Sequence, residues 1–143
     1  MSLFSRLFGT KGKPTFQSNE LGTFTLVYSK GGRNVWSGQL GELHLSCLGT
    51  EDQPYVEHLN TLRQVSSGIS QMSPVITRQF HELFEEADLP ADFSAWQDRF
   101  VLVGLEIQDP SNWIISFQDT KENLAHYNLQ FEDGLPADFS IDT

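Results

Sequence analysis

Residues 54–87 read PYVEHLNTLRQVSSGISQMSPVITRQFHELFEEA, and the way this stretch divides decides the fold. Tyr55, Leu59, Leu62, Ser66, Ile69 and Ser73 recur at helical spacing, with Met72 beside the end of the seam. That stripe predicts a helix from about Pro54 to Met72, loosened at Ser66-Ser67-Gly68, where helix propensity is poor. Ser73-Pro74 reads as a fresh start, a hydroxyl cap followed by proline at the first helical position. Ile76, Phe80, Leu83 and Ala87 form the buried side of a second helix, with Phe84 adjacent. Arg78 and Glu82 stand at i, i+4 on its exposed side, an ion pair worth a few tenths of a kcal/mol.

Strand signals lie on both sides of this helical middle. Thr23–Tyr28 alternates Phe24, Leu26 and Tyr28 against Thr23, Thr25 and Val27. The loop Ser29–Asn34 carries Gly31-Gly32 for a hairpin, Val35–Leu40 returns, and Glu42–Leu48 makes a third strand. After the helices, Phe100–Ile107 is the most apolar strand. Trp113–Phe117 and His126–Phe131 follow, and Asp138–Ile141 is a short edge strand. The expected class is α+β: antiparallel β meanders flanking a central pair of helices, in the order βββ-αα-βββ, as a single domain. The hexapeptide Leu-Pro-Ala-Asp-Phe-Ser occurs twice, at 89–94 and 135–140, and reads in both places as an extended turn.

Charge divides the chain unevenly. Residues 1–33 hold five basic residues against one acid, a balance of +4, whereas 34–143 hold four against eighteen, a balance of −14. Residues 1–20 are read as a basic amphipathic arm and linker, and 21–143 as the acidic α+β domain. In the arm, Leu3, Phe4, Leu7 and Phe8 fall on one face of a two-turn helix. Three readings stay open for it: weak reversible membrane contact, docking on the chain's own acidic body or a neighbouring subunit, or no fixed structure. An isolated helix of that length is marginal in water. The acidic body has the wrong sign for phosphate backbones, so nucleic acid is not the expected partner. Its long-range field favours cationic protein surfaces instead.

No motif nominates a catalytic, cofactor or metal site. Of the four histidines, His81 precedes Glu82 and Glu85 on a helix but lacks the second histidine of a zinc-protease helix. His44, His58 and His126 form no close pair at ligand spacing. Cys47, the single cysteine, faces inward beside Leu45 and reads as a small hydrophobe, with no disulfide possible within the chain. Gly31-Gly32 and Gly38 lack the lysine and the strand–glycine–helix order of a phosphate cradle. No apolar run has the length of a membrane span, and no signal-peptide pattern opens the chain. The expectation is a cytoplasmic protein.

The stretch Leu21-Gly-Thr-Phe-Thr-Leu with Val35-Trp-Ser-Gly38 resembles a group of bacterial domains of unknown function. These open on a Gly-aromatic strand and an aromatic-x-Gly return strand. Asp119, Tyr127–Phe131 and Gly134-Leu-Pro136 follow in the order of their later part, although Ala125-His126 stands where Gly-His is common. The resemblance implies an immunity or accessory role beside toxin genes, and it carries no catalytic residues.

These readings converge on a non-enzymatic protein-binding module, immunity- or antitoxin-like, that meets a basic partner surface. Glu82, Glu85, Glu86, Asp88, Asp92 and Trp96 are the expected contact residues, with Trp36 and Trp113 as further aromatic candidates, and core packing is the competing reading of all three tryptophans. The alternative is a peripheral membrane or assembly factor attached through residues 3–8. A third reading is an enzyme built on an unrecognised carboxylate–histidine site.

Overall fold

The structure, a computed structural model, describes residues 13–122 and 125–142. Strands β1 (Thr15–Ser18), β2 (Gly22–Lys30), β3 (Arg33–Leu40) and β4 (Leu43–Gly49) precede one helix, α1 (Val56–Glu86). A 3-10 turn, Trp96–Asp98, leads into β5 (Phe100–Asp109), β6 (Asn112–Asp119), β7 (His126–Glu132) and β8 (Leu135–Asp142). All eight strands lie in chain order in a single sheet. This corrects the expected pair of central helices between separate meanders: the meanders are halves of one sheet, and the middle is one helix of 31 residues. Neighbouring strands are antiparallel except β4 and β5, which pair in parallel only at His44–Ser46 against Gly104–Glu106. Two parallel neighbours require a long crossover between them, and α1 is that crossover.

The helix continues through Ser73-Pro74 because its apolar stripe never changes phase. Leu62, Val65, Ile69, Ile76, Phe80 and Phe84 are all buried, and both halves of the stripe face the same sheet. An interior proline costs about 3 kcal/mol, whereas each such side chain contributes about 1.5–3 kcal/mol when fully buried. Pro74 is exposed, as is Ser70, whose carbonyl loses its amide donor. On this exposed side of the helix the freed carbonyl faces less of a desolvation cost than it would in the core. The local start signal is real, but tertiary packing outweighs it.

One face of the sheet forms the core, with Trp36, Leu45, Leu105, Ile115, Phe117, Leu129 and Phe131 nearly inaccessible. The other face carries Ser37, Ser46, Glu106, Asn128 and Gln130. Alternation along each strand produces this division. The helix crosses the core face obliquely. Arg63 reaches Ser18 Oγ at the β1–β2 turn (2.9 Å), and Phe80 meets Phe139 of β8 with ring centroids 4.9 Å apart. The strand β1 lies inside the stretch read as arm and linker, yet Thr15–Ser18 pairs fully with β2. Leu3, Phe4, Leu7 and Phe8 lie outside the described residues.

The aromatic-x-Gly motif has a packing cause. Trp36 is fully buried, and its indole N–H donates to Thr50 O at 2.9 Å. Gly38 pairs with Phe24, whose ring atoms would stand 3.1 Å from a Cβ at that position. Gly49 is tighter still: a Cβ there would collide with the Gln53 carbonyl, Pro54 Cα and the Trp36 indole. Two of those obstacles are backbone atoms and cannot swing aside. Gly49→Ala is therefore expected to destabilise the fold by about 1–3 kcal/mol, the range for overpacking. Urea unfolding measures this, and an unchanged midpoint would refute the assigned contact.

Candidate protein-binding face

The C-terminal end of α1 gathers four of the six expected contact residues. Glu82, Glu85, Glu86 and Asp88 are all exposed there. The helix ends in a Schellman arrangement: Asp88 N–H donates to Glu85 O at 3.1 Å, and Leu89 N–H to Phe84 O at 2.8 Å. Asp88 occupies the left-handed position with φ 57°, where glycine is the usual residue. No basic residue stands in the last turn. Arg78 lines a depression of about 330 Å³ with His81, Glu82 and Glu85. Among the described residues, the expected Arg78–Glu82 ion pair is not formed within 4 Å.

The other two residues are placed elsewhere. Trp96 is buried, its ring against Phe117 at 5.1 Å, so it packs the core and offers no exposed anchor. Trp36 is likewise internal, and Trp113 is half-buried and stacked on Phe131. Asp92 is exposed but compensated: its carboxylate accepts from Lys121 Nζ at 2.8 Å and lies 3.6 Å from Arg99 Nη1. The Lys121 hydrogen bond and charge hold the Asp92 carboxyl below the usual carboxylate range.

A residue missed in the sequence borders this end, with its side chain on the opposite face of the sheet from Phe139. Asp138 of β8 lines a depression of about 220 Å³ together with Gln79, Glu82, Leu83 and Glu86. The repeated hexapeptide carried the signal. Phe93 of the first copy and Phe139 of the second both pack on Phe80, at 6.5 and 4.9 Å between centroids. The two copies differ in conformation: the first is an extended loop, whereas the second is strand β8.

Beneath this end lies a buried ion pair. Arg99 holds Asp119 by two hydrogen bonds, Nε to Oδ1 at 3.0 Å and Nη2 to Oδ2 at 2.8 Å. The Lys121 amide adds a third donor at 2.9 Å. The Asp119 side chain is wholly buried, and the Arg99 guanidinium sits 4.8 Å over the Phe84 ring. Burial alone would raise the Asp119 pKa, but the Arg99 and Lys121 hydrogen bonds override it and hold it below 3.8. This pair ties the start of β5 to the end of β6 under the helix terminus.

Cys47, His58 and His81 lie in partly or wholly buried settings. Burial pushes the Cys47 thiol up to about 12, which keeps it protonated and unreactive. His58 is buried, and its Nδ1 accepts the Leu48 N–H at 3.2 Å. Burial lowers the His58 pKa against the smaller opposing pull of Glu57 and Asp109. His81 Nε2 lies 2.8 Å from Phe93 O, a geometry in which the ring N–H donates. Among the described residues, no three His, Cys, Asp or Glu side chains converge as a metal site. No described helix is long and apolar enough to cross a membrane.

Two stability measurements test this assignment. Asp119→Ala removes both hydrogen bonds of the buried guanidinium and leaves it only the 3.6 Å contact with exposed Asp92, which is expected to cost about 3 kcal/mol; a loss under 1 kcal/mol would contradict it. For His58 the folded pKa lies below the unfolded value of 6.5, so the unfolded chain binds more protons between the two values. Its contribution is complete above 6.5 and declines as pH falls through that window. Urea midpoints at descending pH should fall accordingly, and His58→Gln should flatten that part of the profile. An identical slope in both proteins would contradict the role.

Comparison of the chain with protein-family models, curated proteins and solved structures finds no match to any of the three.

Proposed function

We propose that this chain is a non-enzymatic protein-binding module that covers a cationic surface of its partner, as an immunity or antitoxin protein does. The acidic end of α1 carries this reading. The C-terminus of a helix is the negative end of its dipole, where a cation stabilises and an anion destabilises by about 0.3–1 kcal/mol each. Glu82, Glu85, Glu86 and Asp88 all oppose that preference, and no basic residue in the last turn answers them. A cation supplied by a partner relieves the conflict. The likeness of the opening hairpin to domains near toxin loci supports the immunity form of the reading.

Two measurements test it. Association with the basic partner should slow steeply with salt, because steering by exposed charge is screened beyond about 8 Å at physiological ionic strength. Neutralising Glu82, Glu85 and Glu86 to Gln together should lower the association rate by about tenfold or more at low salt. The same variant should be as stable as the parent or more so. Unchanged association of the triple variant would overturn the reading. Asp88→Gly removes both the backbone strain and one opposing charge, and is expected to stabilise the fold by about 0.5–1.5 kcal/mol. A destabilised Asp88→Gly protein would contradict the conflict described at this helix end.

A further inference from the structure

Strand β8 is the last in the sheet, and among the described residues nothing pairs with its outer side. An edge strand presents unpaired N–H and C=O groups that template another strand. The first part of β8 resists this. Pro136 has no donor, and the register shifts between Gln130 and Phe131, which places a bulge at Ala137. From Asp138 to Asp142 the ladder with β7 is regular. Within that stretch, the Phe139 N–H donates to the carboxylate of its neighbour Asp138 at 2.9 Å. That amide therefore points away from β7, and alternation turns the Ile141 N–H the same way.

We infer that the Asp138–Asp142 edge takes up an extended, lysine- or arginine-bearing segment of another protein as a ninth strand. The inference rests on the reading that the acidic end binds a cationic partner, and it specifies how. Backbone pairing at Phe139 and Ile141 supplies the attachment, and alternate side chains supply the selectivity. On the open face of the sheet, Asp138 and Asp142 stand four residues apart and meet two basic side chains of the incoming strand. Asp138 leaves the Phe139 amide as the new carbonyl arrives, which frees its carboxylate for that pairing. On the helix face, the depression lined by Gln79, Glu82, Leu83 and Glu86 receives the intervening side chains. A second copy of this chain does not fit. In the register that pairs Phe139 with Ile141 across two antiparallel β8 edges, Asp138 stands opposite Asp142 twice, and like charges directly opposite are destabilising.

The test uses three blocked heptapeptides of alternating Lys and Val. One is unmodified, one is N-methylated at the valine amides, and one at the lysine amides. With the peptide antiparallel to β8 and its lysines on the open face, the valine amides point toward β8 and the lysine amides point away. Valine methylation is expected to weaken binding about tenfold or more, while lysine methylation leaves it within about threefold. Amide exchange at Phe139 and Ile141 should slow on saturation with the unmodified peptide. Equal binding by all three peptides, lost on Glu82→Gln/Glu86→Gln, would overturn strand addition and leave the acidic-face reading intact. No binding by any of the three at low salt would overturn both.

Discussion

A single side chain, Phe80, anchors the helix to the second half of the sheet. Its ring stacks on Phe100 of β5 at 4.0 Å and meets Phe117 of β6, Tyr127 of β7 and Phe139 of β8 at 4.9–5.6 Å. Phe93, from the loop after the helix, closes the cluster. Each such aromatic contact contributes about 0.5–1.5 kcal/mol beyond its buried area. A helix anchored at its far end by four successive strands cannot stop at Pro74. The chain therefore accepts an interior proline on its exposed side. The same anchor fixes where the C-terminal turn of α1 lies, and so places Glu82 and Glu86 beside β8.

Stability and the proposed role pull against each other at that turn. The backbone there is well made: the Schellman bonds are both present, and the Arg99–Asp119 pair supports the turn from below. The side chains oppose it, with carboxylates at the negative end of the dipole and an aspartate where glycine is easiest. Asp92 shows the contrast. It belongs to the same acid-rich stretch, yet its charge is answered from within by Lys121 and Arg99. The exposed acids that stay unanswered are the ones that the proposed reading assigns to a partner.

Much of the sheet was legible because alternation of apolar and polar residues reports burial directly. The strands around Phe24, Trp36, Leu45, Leu105, Ile115 and Leu129 all occur where the pattern placed them. Thr15–Ser18 escaped notice because four residues beside a Gly-Lys-Pro stretch carry too little periodicity. The break at Ser73-Pro74 misled for a different reason: a capping hydroxyl before proline looks the same at a helix start and within a helix held by outside contacts. The exposure of Glu82, Glu85, Glu86 and Asp88 was legible from local charge. Core packing of Trp96 was one of the two readings its sequence offered, but the neutralisation of Asp92 was not legible, since its closest partner, Lys121, lies 29 residues away. Asp138 was within reach through the repeated hexapeptide, whose meaning is a shared docking site for two phenylalanines on one helix.

The central claim is that one uninterrupted helix, anchored at Phe80, carries the acidic turn to the β8 edge. Native-state amide exchange tests it most directly, because segments that open together share one protection free energy. The account requires the buried positions Ile69, Ile76, Phe80 and Phe84 to exchange with the strands β5–β7 as one cooperative unit. Independent, low-barrier opening of residues 75–86 while the sheet stays protected would mean that the helix divides at Pro74, and the account would fail.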